Sequence, residues 1–201
     1  MGGPHKIRLM MKSERELAQR RFRKQKNQNL LAKPGIHQCI IVLDHLKPTY
    51  NIGKIFRSAE SFGASQIHLV GIDYFDPAPG MGAFKWVPAV FHTTFLSCYT
   101  QLINDGYTPF ILEPGKGSSI TQARLPEKSA FIFGHEEFGL SFEPGLFPQL
   151  ERLTIPQFGK SQSLNVSIAA SIILYEYTRQ HAKSPVLTAE NPEIDNPQTD
   201  I

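Results

Sequence analysis

Short apolar runs alternate with helical patterns along most of the 201-residue chain, and this alternation constrains the fold more than any other feature. Five runs are predicted strands because each is almost entirely apolar and has a typical strand length. They are residues 38–44, 66–71, 108–113, 130–134 and 152–156. Strands that are apolar on both sides indicate a mostly parallel sheet with helices on both faces.

Helices are predicted at residues 52–63, at residues 93–106 and from the neighbourhood of Ser163 onward. Gly63 and Gly106 are expected to close the first two, because glycine readily adopts the left-handed conformation that ends a helix. The sequence therefore predicts one α/β domain, whose length is sufficient to bury a core.

Positive charge is concentrated at the N-terminus. Residues 1–33 hold ten Lys and Arg against Glu14 and Glu16, a local charge of +8, whereas the whole chain carries +3. A basic segment can bind phosphates by neutralising them and releasing counterions, and a solvated or disordered charged end is the alternative. Within it, Ser13 is the expected N-cap of a helix with few apolar residues, which should be exposed or only lightly docked.

The expected organisation is a basic helical extension (1–34), an α/β domain (35–183) and a flexible tail (184–201). The tail shows no periodicity and contains prolines and acidic residues.

Several classes of protein and site are not expected. The chain has no run of eighteen apolar residues and no apolar signal core, so neither a membrane span nor secretion is predicted. Cys39 and Cys98 belong to no metal or redox motif, which favours buried, reduced thiols in a cytoplasmic protein. The seven histidines show no metal-ligand spacing, so no metal is expected. There is neither GxGxxG after a strand nor GxSxG, and PGKGSS (114–119) is interpreted as a turn.

Three loops follow predicted strands, at residues 44–57, 133–141 and 155–165. Ligands of open parallel sheets bind beyond the carboxyl ends of the strands, so these loops are the candidate site. In the first, Asn51 is interpreted most simply as a helix N-cap. Arg57 appears close to a helix start, where the macrodipole disfavours a cation, and is therefore a candidate site residue.

The second and third loops carry glycines and polar residues. Gly134 and Gly139 permit a tight turn next to a ligand, and the loop around Gly159 offers backbone groups that can bind an adenine edge or a carboxylate. Ser163 and Asn165 then open the last helix. Capping needs only one such residue, so the second indicates that something is bound there.

Three stretches, taken in order, resemble the three signature motifs of the SpoU/TrmH family of RNA ribose methyltransferases, within the α/β-knotted SPOUT superfamily. They are NIGKIFRSAESFGASQIHLVG (51–71), FIFGHEEFGLS (131–141) and IPQFGKSQSLNVSIAASIILYEY (155–177). The resemblance covers about residues 36 to 180, and three motifs in order are far more specific than one.

The resemblance implies a Rossmann-like sheet whose C-terminal segment is threaded through a loop as a trefoil knot, a rare exception among folds. It also implies S-adenosylmethionine bound in the knot, tRNA or rRNA as substrate, and a cytoplasmic homodimer with the active site at the subunit interface.

The site residues follow from the same resemblance. Adenosine would be held mainly by backbone groups of Gly134, Ile155 and Leu164, with Gly139 and Gly159 as further cofactor-binding candidates. The residues that match catalytic and structural polar positions of the family are Asn51, Arg57, Glu136, Ser163 and Asn165.

The expected reaction is in-line attack of a ribose 2′-oxygen on the cofactor's methyl group. Arginine stays protonated in proteins, so Arg57 is expected to bind phosphate and to stabilise the developing alkoxide. The base remains open between phosphate, water and a transiently neutral guanidine.

The chain departs from the family pattern at four positions. His135 stands where an amide or small residue is usual, Glu137 replaces a glycine, and Gln157 replaces a frequent methionine. Pro48 lies three residues before Asn51 instead of two. These departures leave the target RNA open.

Two other functions are compatible with the same fold: a knotted RNA-binding protein without catalysis, and a methyltransferase acting on a base nitrogen. Retention of Arg57, Glu136, Ser163 and Asn165 disfavours the first. The SLN triplet (163–165), together with Asn51 and Arg57, favours ribose chemistry over the second.

Overall fold

The computed structural model describes residues 4–181, with side chains from residue 14 onward. Four α-helices lie within this range: α1 (Pro4–Asn29), α2 (Tyr50–Ser61), α3 (Phe95–Asn104) and α4 (Val166–His181). The seven strands are β1 (His37–Asp44), β2 (Ala64–Val70), β3 (Ala89–His92), β4 (Thr108–Leu112), β5 (Ser118–Ser119), β6 (Ser129–Phe133) and β7 (Glu151–Thr154). The predicted flexible tail, 184–201, lies outside the described residues.

The strands form one sheet in the order β3-β2-β1-β6-β4-β7-β5, and every pairing is parallel. This confirms the predicted parallel sheet, and all five predicted strands are present. The sequence missed two strands. β3 has four half-buried residues, and β5 has only two, where a turn was expected.

Helices cover both faces of the sheet, as predicted. Along β1, Ile41 and Leu43 pack with α1, α2 and α4, whereas Ile40 and Val42 pack with α3. A strand with two buried faces explains why these residues form a continuous apolar run instead of an alternating one.

Helix ends agree with the predictions only in part. Gly63 follows the C-cap of α2 with φ 63°, as expected. In α3 the C-cap is Asp105, and Gly106 comes next with φ 79°. The expected N-cap at Ser13 is wrong, because α1 begins at Pro4 and passes through Ser13. Proline is favoured in the first helical turn, and no breaker follows it before Asn29.

Helix α1 is anchored more firmly than predicted. Phe22 is 5% exposed and packs against Phe75 and Phe84 at ring-centroid distances of 5.2 and 5.6 Å. The Asn29 side chain donates to the carbonyls of Phe84 and Val87 at 2.5 and 2.7 Å. The expectation of light docking is therefore wrong for this part of α1. Within residues 4–181, no helix is long and apolar enough to cross a membrane.

Candidate active site

A cavity of about 450 Å³ lies at the carboxyl edge of the sheet, between the loops that follow β6 and β7. This volume is within the range of small-molecule sites. Its walls are formed mainly by those two loops and by the end of β4, together with the start of α4. The predicted site residues that line it are Gly134, Glu136, Gly139, Ile155, Ser163, Leu164 and Asn165.

One wall of the cavity is a stretch of chain whose backbone is unpaired. Residues 155–164 make no backbone hydrogen bond to any residue within 4–181. Ile155, Gln157, Ser163 and Leu164 from this stretch line the cavity. Most of these residues are exposed, so their peptide N–H and C=O groups are accessible donors and acceptors for a molecule bound in the cavity.

The opposite wall is a tight turn that needs its glycines. A Cβ atom at Gly134 would lie 2.6 Å from the carbonyl carbon of Gly139. Gly139 itself has φ +74°, a conformation that favours glycine. Two hydrogen bonds close the turn, from His135 N to Gly139 O at 2.7 Å and back from Gly139 N to His135 O at 2.9 Å. The chain can thus fold back on itself directly beside the cavity.

Three predicted polar residues are joined in one hydrogen-bonded chain. Asn165 Nδ2 donates to Asn51 Oδ1 at 3.2 Å, and Asn51 Nδ2 donates to Glu136 Oε1 at 2.9 Å. The backbone N–H of Lys47 donates to Glu136 Oε2 at 3.2 Å. The chain links α4, α2 and the loop after β6, and so fixes the Glu136 carboxylate at the cavity.

The hydrogen bonds around Glu136 favour its ionised form. Partial burial acts to raise its pKa, but the Asn51 side chain, backbone N–H groups and nearby His135 together lower the pKa below the usual range. Glu136 is therefore an acceptor-only carboxylate at neutral pH.

The last helix begins later than predicted. Its first residue is Val166, and Asn165 occupies the capping position. Asn165 Oδ1 accepts hydrogen bonds from Ser167 N at 2.9 Å and Ser167 Oγ at 2.6 Å. Asn165 thus serves both functions considered for the polar helix start, because its oxygen caps α4 and its amide nitrogen reaches Asn51. Ser163 precedes the cap, is exposed, and lines the cavity.

Two sequence arguments about α2 are wrong. The N-cap of α2 is Thr49, so Asn51 is not the cap but the second helical residue. Arg57 is the eighth of the twelve residues of α2, too far from the first turn for the macrodipole argument to apply. Its side chain is exposed, does not line the cavity, and makes no hydrogen bond or ion pair within the side chains of residues 14–181.

Gly159 also lies away from the cavity. It is absent from the lining, and a Cβ atom there would have no neighbour within 4 Å.

The unusual residues in the loop after β6 have local partners. His135 Nδ1 accepts from the backbone N–H groups of Glu137 and Phe138 at 3.0 and 3.2 Å. The Oδ1 atom of an asparagine is separated from its backbone by as many bonds as the Nδ1 atom of a histidine. Histidine can therefore replace an amide residue here. Glu137 forms an exposed ion pair with Lys47 at 2.8 Å, which ties this loop to the one after β1.

The residue that anchors this loop was not predicted. Asp44, fully buried at the end of β1, accepts from Ser141 N at 2.6 Å and from Ser141 Oγ at 2.7 Å. It also pairs with His45 Nδ1 at 2.8 Å. The sequence did contain a signal for Asp44, namely a charged residue at the end of an apolar strand.

A second group of chemically capable side chains lies elsewhere. His68, His92 and Cys98 place one ligand atom each within 4.8 Å of one another, although their spacing along the sequence matches no metal motif. Cys39 and Cys98 are both buried and free, as predicted. Burial raises the pKa of each thiol to about 12.

Comparison with known proteins gives a consistent assignment. The family model described as the SpoU rRNA Methylase family matches residues 38–175. A tRNA (guanosine(18)-2′-O)-methyltransferase of Thermus thermophilus is 28% identical over 160 residues, which are 77% of this chain and 80% of that protein.

Solved structures agree with this assignment. A TrmH-family RNA methyltransferase structure from Porphyromonas gingivalis is 29% identical with a TM-score of 0.62, over 74% of this chain and 62% of that one. A structure that addresses 2-OH methylation of C/U34 on tRNA is 26% identical with a TM-score of 0.61, over 72% of this chain and 96% of that one. The chain belongs to the SpoU family of RNA methyltransferases.

Proposed function

We propose that this protein transfers a methyl group from S-adenosylmethionine to a ribose 2′-oxygen of tRNA or rRNA. The observation that carries the proposal is the cavity wall of residues 155–164, whose backbone groups are unpaired and face the tight Gly134–Gly139 turn. A backbone-lined pocket of this kind suits a purine, whose edge alternates hydrogen-bond donors and acceptors.

The residues around the cavity fit the cofactor. Backbone groups of Gly134, Ile155 and Leu164 would hold the adenosine, and the apolar side chains of Leu140 and Val166 provide surface for its rings. A side chain at Gly134 would collide with the backbone of Gly139, so the turn cannot be replaced without opening the wall. When bound, the cofactor supplies an electrophilic methyl group.

The polar residues of the hydrogen-bonded chain described above position the RNA. Asn165 and Asn51 orient the Glu136 carboxylate, and Ser163 adds a hydroxyl group at the cavity. The Arg57 cation is proposed to bind the phosphate next to the target ribose and to stabilise the alkoxide that develops on its 2′-oxygen. No general base is assigned among these residues.

The assembly is proposed to be a homodimer. Arg57 shares the exposed face of α2 with Tyr50 and Lys54, and Ile168 and Tyr175 expose apolar side chains on neighbouring α4. Pairing of these faces about a two-fold axis would bury them and would carry Arg57 of each subunit toward the partner's cavity. Sedimentation should then give twice the 22.6 kDa chain mass.

Two further features belong to the same proposal. The segment before α4 would be threaded as a trefoil knot, and the basic side chains of α1 would contact RNA phosphates in the cytoplasm.

The relatives with named targets act on different tRNA nucleotides, guanosine 18 and C/U34. These names give two candidate positions on tRNA, and rRNA adds further ones.

The decisive experiment uses methyl-labelled S-adenosylmethionine and total RNA from a strain that lacks the gene. After incubation with the purified protein, the RNA is digested to nucleosides and the labelled product is identified. We expect a 2′-O-methylated nucleoside. A methylated base would indicate the base-nitrogen reaction, and RNA binding with no label transfer would indicate a binding protein without catalysis.

A further inference from the structure

A buried group of three potential metal ligands lies on the sheet face that α3 covers. His68 comes from β2, His92 ends β3, and Cys98 belongs to α3. His92 Nε2 lies 3.1 Å from His68 Nδ1, and Cys98 Sγ lies 3.5 Å from the same nitrogen. None of the three residues lines the cavity of the candidate active site.

Hydrogen bonds alone account poorly for this arrangement. His68 is fully buried, and its Nε2 atom has no partner within the described residues. Its Nδ1 atom faces both His92 and Cys98, although one nitrogen holds either one proton or one lone pair. One ion between the three side chains would engage His68 Nδ1, the His92 nitrogen and the Cys98 sulfur together, whereas one proton on Nδ1 serves only one of these contacts. In the tautomer that binds the ion, the proton of His68 lies on Nε2.

Two of the three separations between ligand atoms are close to the edges of a tetrahedral metal site, and the third is within 4.8 Å. Zinc binds imidazole nitrogen at about 2.0–2.1 Å and cysteine sulfur at about 2.3 Å. Tetrahedral angles then separate two nitrogens by about 3.3 Å and a nitrogen from sulfur by about 3.5 Å. The observed 3.1 and 3.5 Å separations are close to these values.

The surroundings also favour metal binding. All three ligand atoms lie within 4.8 Å of one another, and His68 and Cys98 are buried while His92 is half-buried. Ser97 Oγ lies 3.5 Å from His92 Nδ1, the nitrogen that points away from the group, as an orienting partner of a metal-bound histidine would.

We propose that His68 Nδ1, His92 Nε2 and Cys98 Sγ bind one zinc ion. Binding replaces the thiol proton, which leaves to solvent, with a sulfur–zinc bond, and neither histidine changes its charge. His92 is only half-buried, so a water molecule can reach the fourth position. The ion would fasten the edge strand β3 and helix α3 to β2.

The test uses the full-length protein, stripped of metal with a chelator under reducing conditions. Cobalt(II) is added as a probe, because a cysteine–cobalt bond gives a thiolate-to-metal charge-transfer band, and zinc is then added to displace it. We expect one equivalent of cobalt to produce the band and one equivalent of zinc to remove it. The melting temperature should rise with zinc.

Three variants separate the proposal from incidental binding. Cys98→Ser should abolish the band, and His92→Gln, at a half-buried position where folding should survive, should weaken metal affinity by about 100-fold or more. Cys39→Ser removes the other buried thiol and should change neither the band nor the metal affinity. Absence of the band in the wild-type protein at two equivalents, or its persistence in folded His92→Gln with unchanged affinity, would overturn the proposal.

Discussion

The cavity edge and helix α1 hold their polar side chains in opposite ways. At the cavity, Asn165, Asn51 and Glu136 are paired with one another across three elements. On α1, Arg20, Arg23 and Lys24 are exposed and make no hydrogen bond or ion pair within the side chains of residues 14–181. Paired groups are preorganised and suit chemistry, whereas solvated charges suit a phosphate backbone that is bound through counterion release.

Under the proposed function, methyl transfer would depend on the cavity and RNA affinity on the charges of α1. The apolar side of α1 is fixed to the core by Phe22, so its charges project from a rigid support. The polar groups at the cavity depend on loops, which are positioned by Asp44 and by the α4 cap. Each variant below should affect one of these two regions and spare the other.

The largest expected effect is on the docking of α1. Phe22→Ala removes a ring that is 5% exposed and contacts Phe75 and Phe84. We expect the free energy of unfolding to fall by about 3–5 kcal/mol. Denaturant unfolding measures it, and Leu17→Ala, at a side chain 54% exposed on the same helix, should stay within about 0.5 kcal/mol of wild type. An equally small effect of Phe22→Ala would mean that α1 is not anchored.

The next effect concerns Arg57. Arg57→Ala should lower the single-turnover rate by about 100-fold or more, the typical cost of removing one preorganised donor. Cofactor affinity should not change, because Arg57 does not line the cavity. Lys54→Ala, which removes another cation from the exposed face of α2, is the control and should lower the rate only a few-fold. A normal rate for Arg57→Ala would exclude the role proposed for it.

The third effect concerns the charges of α1. The variant Arg20→Gln/Arg23→Gln/Lys24→Gln should make the dependence of log affinity on log salt shallower by about two to three. Binding to RNA at several salt concentrations measures this slope, and turnover at saturating RNA should be preserved. Deleting residues 1–33 would be a poorer test, because it also removes Phe22 and Asn29 from the core.

A control far from α1 tests whether the change in salt dependence is local to this helix. Lys116→Gln removes an exposed charge beside β5, at the opposite end of the sheet order from β3, and should leave the slope unchanged. If the triple variant also leaves RNA affinity and slope unchanged, RNA does not contact this side of α1.

How far the sequence predicts the fold depends on burial. The strands β1, β2, β4 and β6 are buried on both faces and are visible as apolar runs. The edge strands β3 and β5 are short and half-buried or exposed, so no pattern marks them. Two-sided burial thus marks four of the strands. β7 is short and only Leu153 in it is buried, but it was predicted because its apolar pattern continues to Pro156.

Which site residues could be predicted also depends on which strands could be recognised in the sequence. Gly134, Ile155 and Leu164 were found because three motifs occur in order, and they lie around one cavity. The sequence did not reveal the group of His68, His92 and Cys98. The pairing of β2 with β3 places His68 beside Val90, and β3 was not predicted. Contacts between elements cannot be inferred when one of the elements is not recognised.

The smallest expected effect in free energy separates the two functions of Asn165. Asn165→Ala removes both the oxygen that caps α4 and the nitrogen that donates to Asn51. Asn165→Asp keeps a capping oxygen but places a second oxygen against Asn51 Oδ1, and Asn51 cannot turn its amide without breaking its bond to Glu136. We therefore expect Asn165→Ala to lower the free energy of unfolding by about 1 kcal/mol and Asn165→Asp to lower it much less.

Both Asn165 variants should nevertheless lose methyl transfer, since both break the link from α4 to Glu136. Thermal unfolding and single-turnover rates, measured side by side, distinguish the two losses, and Ser171→Ala, lower on the same helix, is the control for α4. Ser171 bonds to Ser58 and to the Ser167 carbonyl, away from the cavity lining, so its variant should keep the rate. If Asn165→Asp transfers methyl groups normally, Asn165 is only a helix cap, and the polar chain that distinguishes the cavity edge from α1 does not serve the reaction.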